Sequence, residues 1–427
     1  MNRLPKIDVI TITVSAYLIN MFRINLISTS LQQLLVWGIC ILYLLINNGY
    51  VIRLFKRNNK SKITICFILF ILYFLWAMFA FVVGPHDASY IRMMFSMILL
   101  FIYMLVISVR LIKKGHENNI LKSFFLTYII CMVLYVLVTT IMIVLPGVKT
   151  SFFEILSMDD FSMDKVSNLY YGTRIGWMGF SGYNCGLKCS LGCCMCLYFI
   201  LEDINNQKKN TPIVYIYLLI LLVGNIYYSR TGLAISVLCC ACALLYIAFI
   251  RGKIWAFLKY CFLILIVVNI GVSFISANIE NSLTMQWAFE MIDNFLNTGK
   301  FSASSYSKLQ AMYFCPPIET IIAGDGRYAG TGIGYYMNVD VGLMRNIFYF
   351  GIFGTASLYG TMLYVIRHIG KTNKGIIGFL FLLVFLGYEY KGESTPLLLP
   401  LFFLILLLAY YLPQYDGREI TKRLKKV

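Results

Sequence analysis

A chain of 427 residues in which 60% are hydrophobic and 13% charged cannot cover a soluble surface with polar groups, so a water-soluble domain is excluded. Its mean hydropathy of +0.77 is that of a polytopic membrane protein. The formal charge of +17 collects in alternate short loops, which is the pattern of a topology signal and not of a nucleic-acid surface.

In chain order, apolar runs at 9–26, 31–52, 63–83, 93–112, 124–145, 186–201, 212–228, 232–250, 255–275, 343–366, 376–390 and 397–412 predict twelve transmembrane helices. The sixth and eleventh are short, and Arg23 cuts into the end of the first. No cleavable leader is expected, because the apolar run after Lys6 lacks a small-residue cleavage pattern. The expected fold is therefore an all-α polytopic helix bundle, residues 1–427 forming one membrane domain with a large extracytoplasmic loop at 275–342.

Charges between the runs set the orientation. Arg53, Lys56, Arg57, Lys60 and Lys62, then Arg110, Lys113, Lys114 and Lys122, then Lys208 and Lys209, then Arg251, Lys253 and Lys259, then Arg367, Lys371 and Lys374 mark one side as cytoplasmic, together with both termini. In the late loop Glu280, Glu290, Asp293, Glu319, Asp325 and Asp340 outnumber Lys300, Lys308 and Arg327. From Pro212 to Ile250 about 39 residues carry one charge, Arg230, and a single helix of that length would extend about 58 Å, nearly twice the hydrocarbon thickness. The segment must turn at Ser229-Arg230-Thr231, near the outer face.

The late loop is the one long polar insertion, and long insertions of this kind are usually functional or disordered. Trp287, Phe289, Tyr306, Tyr313 and Phe314 argue against simple disorder. Its glycines, from Gly324 to Gly334, miss the spacing of a phosphate loop and are expected to supply turns. Gly351, Gly354, Ser357 and Gly360 line one helix face and suit close helix approach in lipid.

Four arginines, Arg174, Arg230, Arg327 and Arg345, gather at the predicted outer boundary, where forked guanidinium donors suit phosphate oxygens. Such arginines can also merely snorkel to lipid head groups. Glu319, Asp325, Asp340, Glu389 and Glu393 are carboxylates available as a general base for a sugar hydroxyl. No metal or other cofactor is expected: the three histidines His86, His116 and His368 lie far apart, and no Asp-x-Asp occurs in an outer loop. Most of the thirteen cysteines fall within apolar runs and read as packing residues, leaving one disulfide between Cys185 and Cys315 open.

The ordered motifs resemble the bacterial Wzy-type O-antigen and capsular polysaccharide polymerases, relatives of the O-antigen ligases. The likeness is carried by Arg174-Ile-Gly-Trp-Met-Gly-Phe-Ser-Gly-Tyr-Asn184 before a span, Ser229-Arg230-Thr231 opening a span, the late outer loop, and Asp340-Val-Gly-Leu-Met-Arg345 at its exit. It covers roughly the middle and C-terminal half. The resemblance implies an inner-membrane glycosyltransferase acting on polyprenyl-pyrophosphate-linked oligosaccharides, working beside a chain-length regulator and a flippase. Arg174, Arg230 and Arg327 would hold the pyrophosphate, with Asp340 or Glu319 activating the acceptor; Arg327, Arg345, Glu319, Asp325 and Asn184 would contact substrate. The ligases carry a histidine in the large loop, and residues 275–340 contain none, which favours a polymerase. The arginine-x10-glycine spacing of some polymerases is also missing, because Cys185 stands eleven residues after Arg174. A lipid-linked oligosaccharide flippase is the competing class, although its charged midplane sites find few counterparts in these spans.

Overall fold

Apolar runs cross lipid as helices because their backbone N–H and C=O groups find no water there. The computed structural model describes residues 4–56, 60–158, 160–167, 173–205, 212–250, 290, 294, 297–299, 304–330, 334–372 and 375–411. In order the elements are α1 (Val9–Ile19), α2 (Thr29–Ile46), α3 (Asn48–Lys56), α4 (Lys60–Val83), α5 (Ser89–Lys113), α6 (Ile120–Val144), α7 (Pro146–Ile155), α8 (Asp160–Ser167), the hairpin β1 (Ile175–Gly176) and β2 (Gly179–Phe180), α9 (Tyr183–Asn205), α10 (Pro212–Tyr228), α11 (Arg230–Leu245), α12 (Ser304–Ala311), α13 (Ile318–Ala323), α14 (Gly342–Thr372), α15 (Ile376–Lys391) and α16 (Thr395–Ala409). Among the described residues seven helices, α2, α4, α5, α6, α9, α11 and α14, are long and apolar enough to cross a membrane. Helices α1, α10 and α16 are shorter and equally apolar in character.

Every predicted span coincides with a helix except 255–275, which lies outside the described residues together with Trp287 and Phe289. The second is shorter than expected: it stops at Asn47, whose amide side chain donates to the Tyr43 carbonyl (2.8 Å), and α3 continues as a separate helix. The first stops at Asn20, before Arg23.

The sixth span, α9, has a weakly lipid-like sequence for a physical reason: it is the most enclosed of the seven, with 89% of its span buried against 6% for α2. A helix surrounded by other helices selects small residues that admit close neighbours. A Cβ on Gly186 would meet the Ser229 side chain at 2.4 Å, and one on Gly192 would meet Leu221 at 2.8 Å. Ser190 donates to the Gly232 carbonyl (3.2 Å), and Asn225 donates to Ser236 (3.0 Å), so buried polar groups fix α9 against α10 and α11. Cys193, Cys194, Cys196 and Cys239 are buried, with Cys194 and Cys239 sulfurs 3.8 Å apart between α9 and α11, as packing residues. Cys185 and Cys315 are both free thiols, one buried and one exposed, so the disulfide left open by the sequence is not formed.

Helix directions sort the contacts into two ends. At one end Arg110 pairs with Asp8 (3.5 Å), Lys122 pairs with Glu202, and Lys62 donates to the Tyr410 hydroxyl (3.1 Å). At the other end α9, α11, α14 and α16 begin and α15 finishes, and here the late loop is attached. Tyr313 of that loop stacks on Tyr390 at 5.2 Å, while Leu309, Met312 and Tyr336 pack on Val339, Val341, Met344 and Phe348.

The attachment exploits a break in α14. Phe350 and Gly351 leave helical geometry, Gly351 with φ 65 and ψ −170. The carbonyls released by the break are all answered: Phe348 accepts from the Asp325 N–H (2.6 Å), Tyr349 from the Gly326 N–H (3.1 Å), and Phe350 from the Trp76 indole (2.9 Å). Gly324 and Gly326 take left-handed conformations to reach this position, so the loop glycines do supply turns. Of the small residues on α14, Gly351 serves the break and Gly354 faces Trp76, whereas Gly360 meets nothing within 4 Å. A Cβ on Gly351 would stand 2.2 Å from the Ile322 carbonyl oxygen. Gly351→Ala is therefore expected to cost about 2–4 kcal/mol, read as a lowered unfolding temperature in detergent.

Candidate functional site

The residues of the first motif form a tight hairpin, pairing Ile175 with Phe180 and Gly176 with Gly179. Its glycine and aromatic have separate structural reasons. A Cβ on Gly176 would stand 2.3 Å from the Tyr135 hydroxyl, and the Trp177 indole donates to the Asn20 carbonyl (2.7 Å) at the end of α1. Thr139 donates to the Ile175 carbonyl (2.9 Å), and the Arg174 carbonyl accepts from Ser181 N–H (2.7 Å). Arg174 thus starts from a backbone fastened to α1 and α6.

Arg230 is the first residue of α11. Ser229 caps that helix by accepting from the Gly232 N–H (3.2 Å), and a Cβ on Gly232 would meet Asn225 and the Tyr388 hydroxyl, each at 2.4 Å. The hairpin between α10 and α11 therefore turns where the charge arithmetic requires. The Arg230 guanidinium pairs with Glu290 of the late loop at 2.5 Å.

Asp340 and Gly342 of the third motif act together. A Cβ on Gly342 would lie 2.3 Å from a Glu389 oxygen and 2.7 Å from the Gly392 carbonyl, so only glycine lets the start of α14 abut the end of α15. That approach brings Asp340 to Lys391, the last residue of α15. Arg230, Arg174 and Asp340 all act on Lys391 electrostatically. Arg174, Arg230 and Asp340 are therefore all neighbours of Lys391, and Asp340 also feels Arg345. Asp340 is solvent-accessible yet crowded by protein, and this desolvation raises its pKa above the ordinary carboxylate value, with Arg345 and Lys391 opposing.

Arg345 adjoins the site but is committed elsewhere. It is buried, pairs with Glu393 at 3.2 Å, and lies between the rings of Tyr335 (3.8 Å) and Tyr328 (4.0 Å). Burial pushes Glu393 up to about 7, with Arg345 opposing and Glu389 adding to the rise. Tyr328 also donates to Glu393. Glu389 accepts from Tyr359 (2.8 Å), Asn346 (3.3 Å), and both the N–H (2.9 Å) and hydroxyl (2.7 Å) of Ser394, a set of bonds that holds α14, α15 and α16 together.

No contact joins the other predicted residues to Lys391 among the described residues. Arg327 is exposed, 5.7 Å from the Tyr336 ring, beside an open cavity. Asp325 accepts from Thr320 (2.7 Å) in the turn that meets the broken helix. Glu319 is exposed on α13, and Asn184 is exposed on the first turn of α9. Lys391 went unremarked in the sequence; its signal was a lone lysine closing an apolar run on the side opposite the basic loops. Lys188 was missed too: it is buried in α9 and donates to the Ile19 carbonyl (2.7 Å) and Asn20 side chain (3.1 Å), closing the C-terminus of α1.

Removing one partner from the Arg345–Glu393 pair leaves a buried charge. Glu393→Leu alone, which strands the Arg345 guanidinium, is expected to destabilise by about 3–5 kcal/mol, whereas Glu393→Leu with Arg345→Met recovers most of the loss. The sign with pH follows from Glu393. Its folded value of about 7 lies above the ordinary 4.5, so its contribution is complete below 4.5 and is lost as pH rises through about 7. Thermal unfolding of the double variant measured across that window should lack this component.

Comparison with protein-family models, curated proteins and solved structures gives no match for this chain. What the site can do rests on its chemistry. Arg174 and Arg230, at the positive start of α11, surround Lys391, a grouping whose charge suits an anion, and Asp340 beside Lys391 has a raised pKa, as suits a proton acceptor.

Proposed function

We propose that this chain is a membrane glycosyltransferase that polymerises polyprenyl-pyrophosphate-linked oligosaccharide repeat units into a surface polysaccharide. The observation carrying this reading is the convergence of Arg174, Arg230 and Lys391 with Asp340 at one end of a membrane helix bundle. The acceptor sugar hydroxyl forms a bond to the anomeric carbon of the growing glycan, while the bond from that carbon to the pyrophosphate oxygen breaks. Asp340 receives the hydroxyl proton. Arg174, Arg230 and Lys391 neutralise the charge that develops on the departing polyprenyl pyrophosphate.

In this reading the bundle sits in a bacterial cell membrane, with both termini cytoplasmic and the site extracytoplasmic. A chain-length regulator and a flippase are the partners such a reaction calls for. The second reading is a lipid-linked oligosaccharide transporter. The interruption of α14 favours it, because transporters often place broken helices at their binding sites.

Analysis of lipid-linked glycans in a host strain lacking the chain tests both. Loss of a polymerase leaves single repeat units on the outer leaflet. Single units trapped on the cytoplasmic leaflet would establish the transporter instead, and full-length glycan retained on lipid would establish a ligase.

A further inference from the structure

The cavity beside Arg327, of about 750 Å³, is lined by Pro85, Asp87, Arg327 and the segment Tyr335 to Asn338. Its volume lies within the range of small-molecule sites. Its charges balance: Arg327 and Asp87 both line it, and Asp325 is near enough to act on Tyr336. Asp87 is spent on structure, accepting from the N–H groups of Tyr328 (2.7 Å), Ala329 (2.8 Å) and Ser89 (2.9 Å). The cavity therefore has none of the cation excess that distinguishes the grouping around Lys391.

Its wall offers an aromatic platform with an amide at its edge. The Tyr335 ring is backed by the Arg345 guanidinium at 3.8 Å and still leaves 44% of the residue accessible. Asn338 is exposed on the same segment. A pyranose presents C–H groups on its face and hydroxyls around its rim. An aromatic face matches the first, and an amide or a guanidinium matches the second.

The backbone around the cavity is also unusual. Met337 (φ 55) and Asn338 (φ 56) line it, and His86 (φ 61) stands between two lining residues; these are the positive-φ residues other than glycine among the described residues. Such conformations persist where the surroundings enforce them, and they concentrate at ligand-binding segments.

We propose that this cavity is a saccharide subsite, taking an uncharged portion of a glycan chain with Tyr335 as its platform and Asn338 at its edge. Asp340 acts electrostatically both on Tyr335, which lines the cavity, and on Lys391. The identity of its glycan as the repeat unit rests on the polymerase reading; the presence of a saccharide subsite does not.

The test uses the full chain in lipid nanodiscs and two probes. One is the free oligosaccharide released by mild acid from the host's lipid-linked glycans, without lipid or phosphate; the other is farnesyl diphosphate. Asn338→Ala and Tyr335→Leu are expected to weaken oligosaccharide binding at least tenfold while changing the farnesyl diphosphate Kd less than twofold. Met337→Trp, at an exposed position on the same segment, should block the oligosaccharide in the same way. Failure of the unaltered chain to bind the oligosaccharide, or unchanged binding by all three variants, overturns the subsite. If the oligosaccharide behaves as expected but Arg230→Ala leaves farnesyl diphosphate binding unchanged, the subsite stands and the pyrophosphate assignment falls.

Discussion

Arg230→Ala is expected to lower repeat-unit polymerisation by about 100- to 1000-fold, the loss typical of removing one fixed donor to a developing charge. The measurement is the length distribution of lipid-linked glycan made by the purified chain in proteoliposomes, with equal protein in each sample. The size of the effect follows from how Arg230 is held. Its backbone is the capped start of α11, and its side chain enters a site where Arg174 and Lys391 already stand, so alanine removes a charge that needs little rearrangement to meet the leaving group. Glu290, which pairs with Arg230 at 2.5 Å, must give way to the incoming diphosphate. Arg230→Lys keeps the charge but loses the fork, and should retain activity between wild type and alanine. Wild-type chain lengths from Arg230→Ala would remove the pyrophosphate assignment.

Asp340→Asn should reduce the rate by about 100- to 10,000-fold and abolish the acid limb of the pH profile. The sign follows from the base's requirement to be ionised. Desolvation raises the Asp340 pKa above its ordinary 3.8, so activity should fall as pH decreases through that raised value, and the half-point should lie above the usual aspartate range. Asp340→Asn keeps the shape and loses the acceptor. A variant that retained both the rate and the acid limb would assign the proton to another group.

Much of this site was legible in the sequence because its motifs encode local geometry. Ser229 and Gly232 are required by the capped turn, Gly176 and Trp177 by the anchored hairpin, and Gly342 by the contact between α14 and α15. Each imposes a residue type at a fixed spacing, and each delivers a charged neighbour to the site. The boundary arginines were harder to rank, since sequence places all four at one depth and gives no lateral position. Arg345 is taken up by Glu393, and Arg327 lines a separate cavity near the Tyr336 ring, through contacts between distant segments. Lys391 escaped notice for the same reason. The apolar runs located the helices, yet hydropathy could not indicate the break in α14, because Gly351 reads equally well as a packing glycine until the Asp325 and Gly326 amides arrive beneath it.

That break makes the polar insertion and the membrane helix interdependent. Any chimera that grafts the late loop onto a related bundle must carry Gly84, Trp76 and Gly351 with it, since the Gly326 Cα would lie 2.9 Å from a Cβ at Gly84 and the Trp76 indole covers the last open carbonyl. A donor loop moved without those seats would strand three unbonded acceptors at the kink, so exchange between such proteins is confined to modules that include α4, the insertion and α14 together.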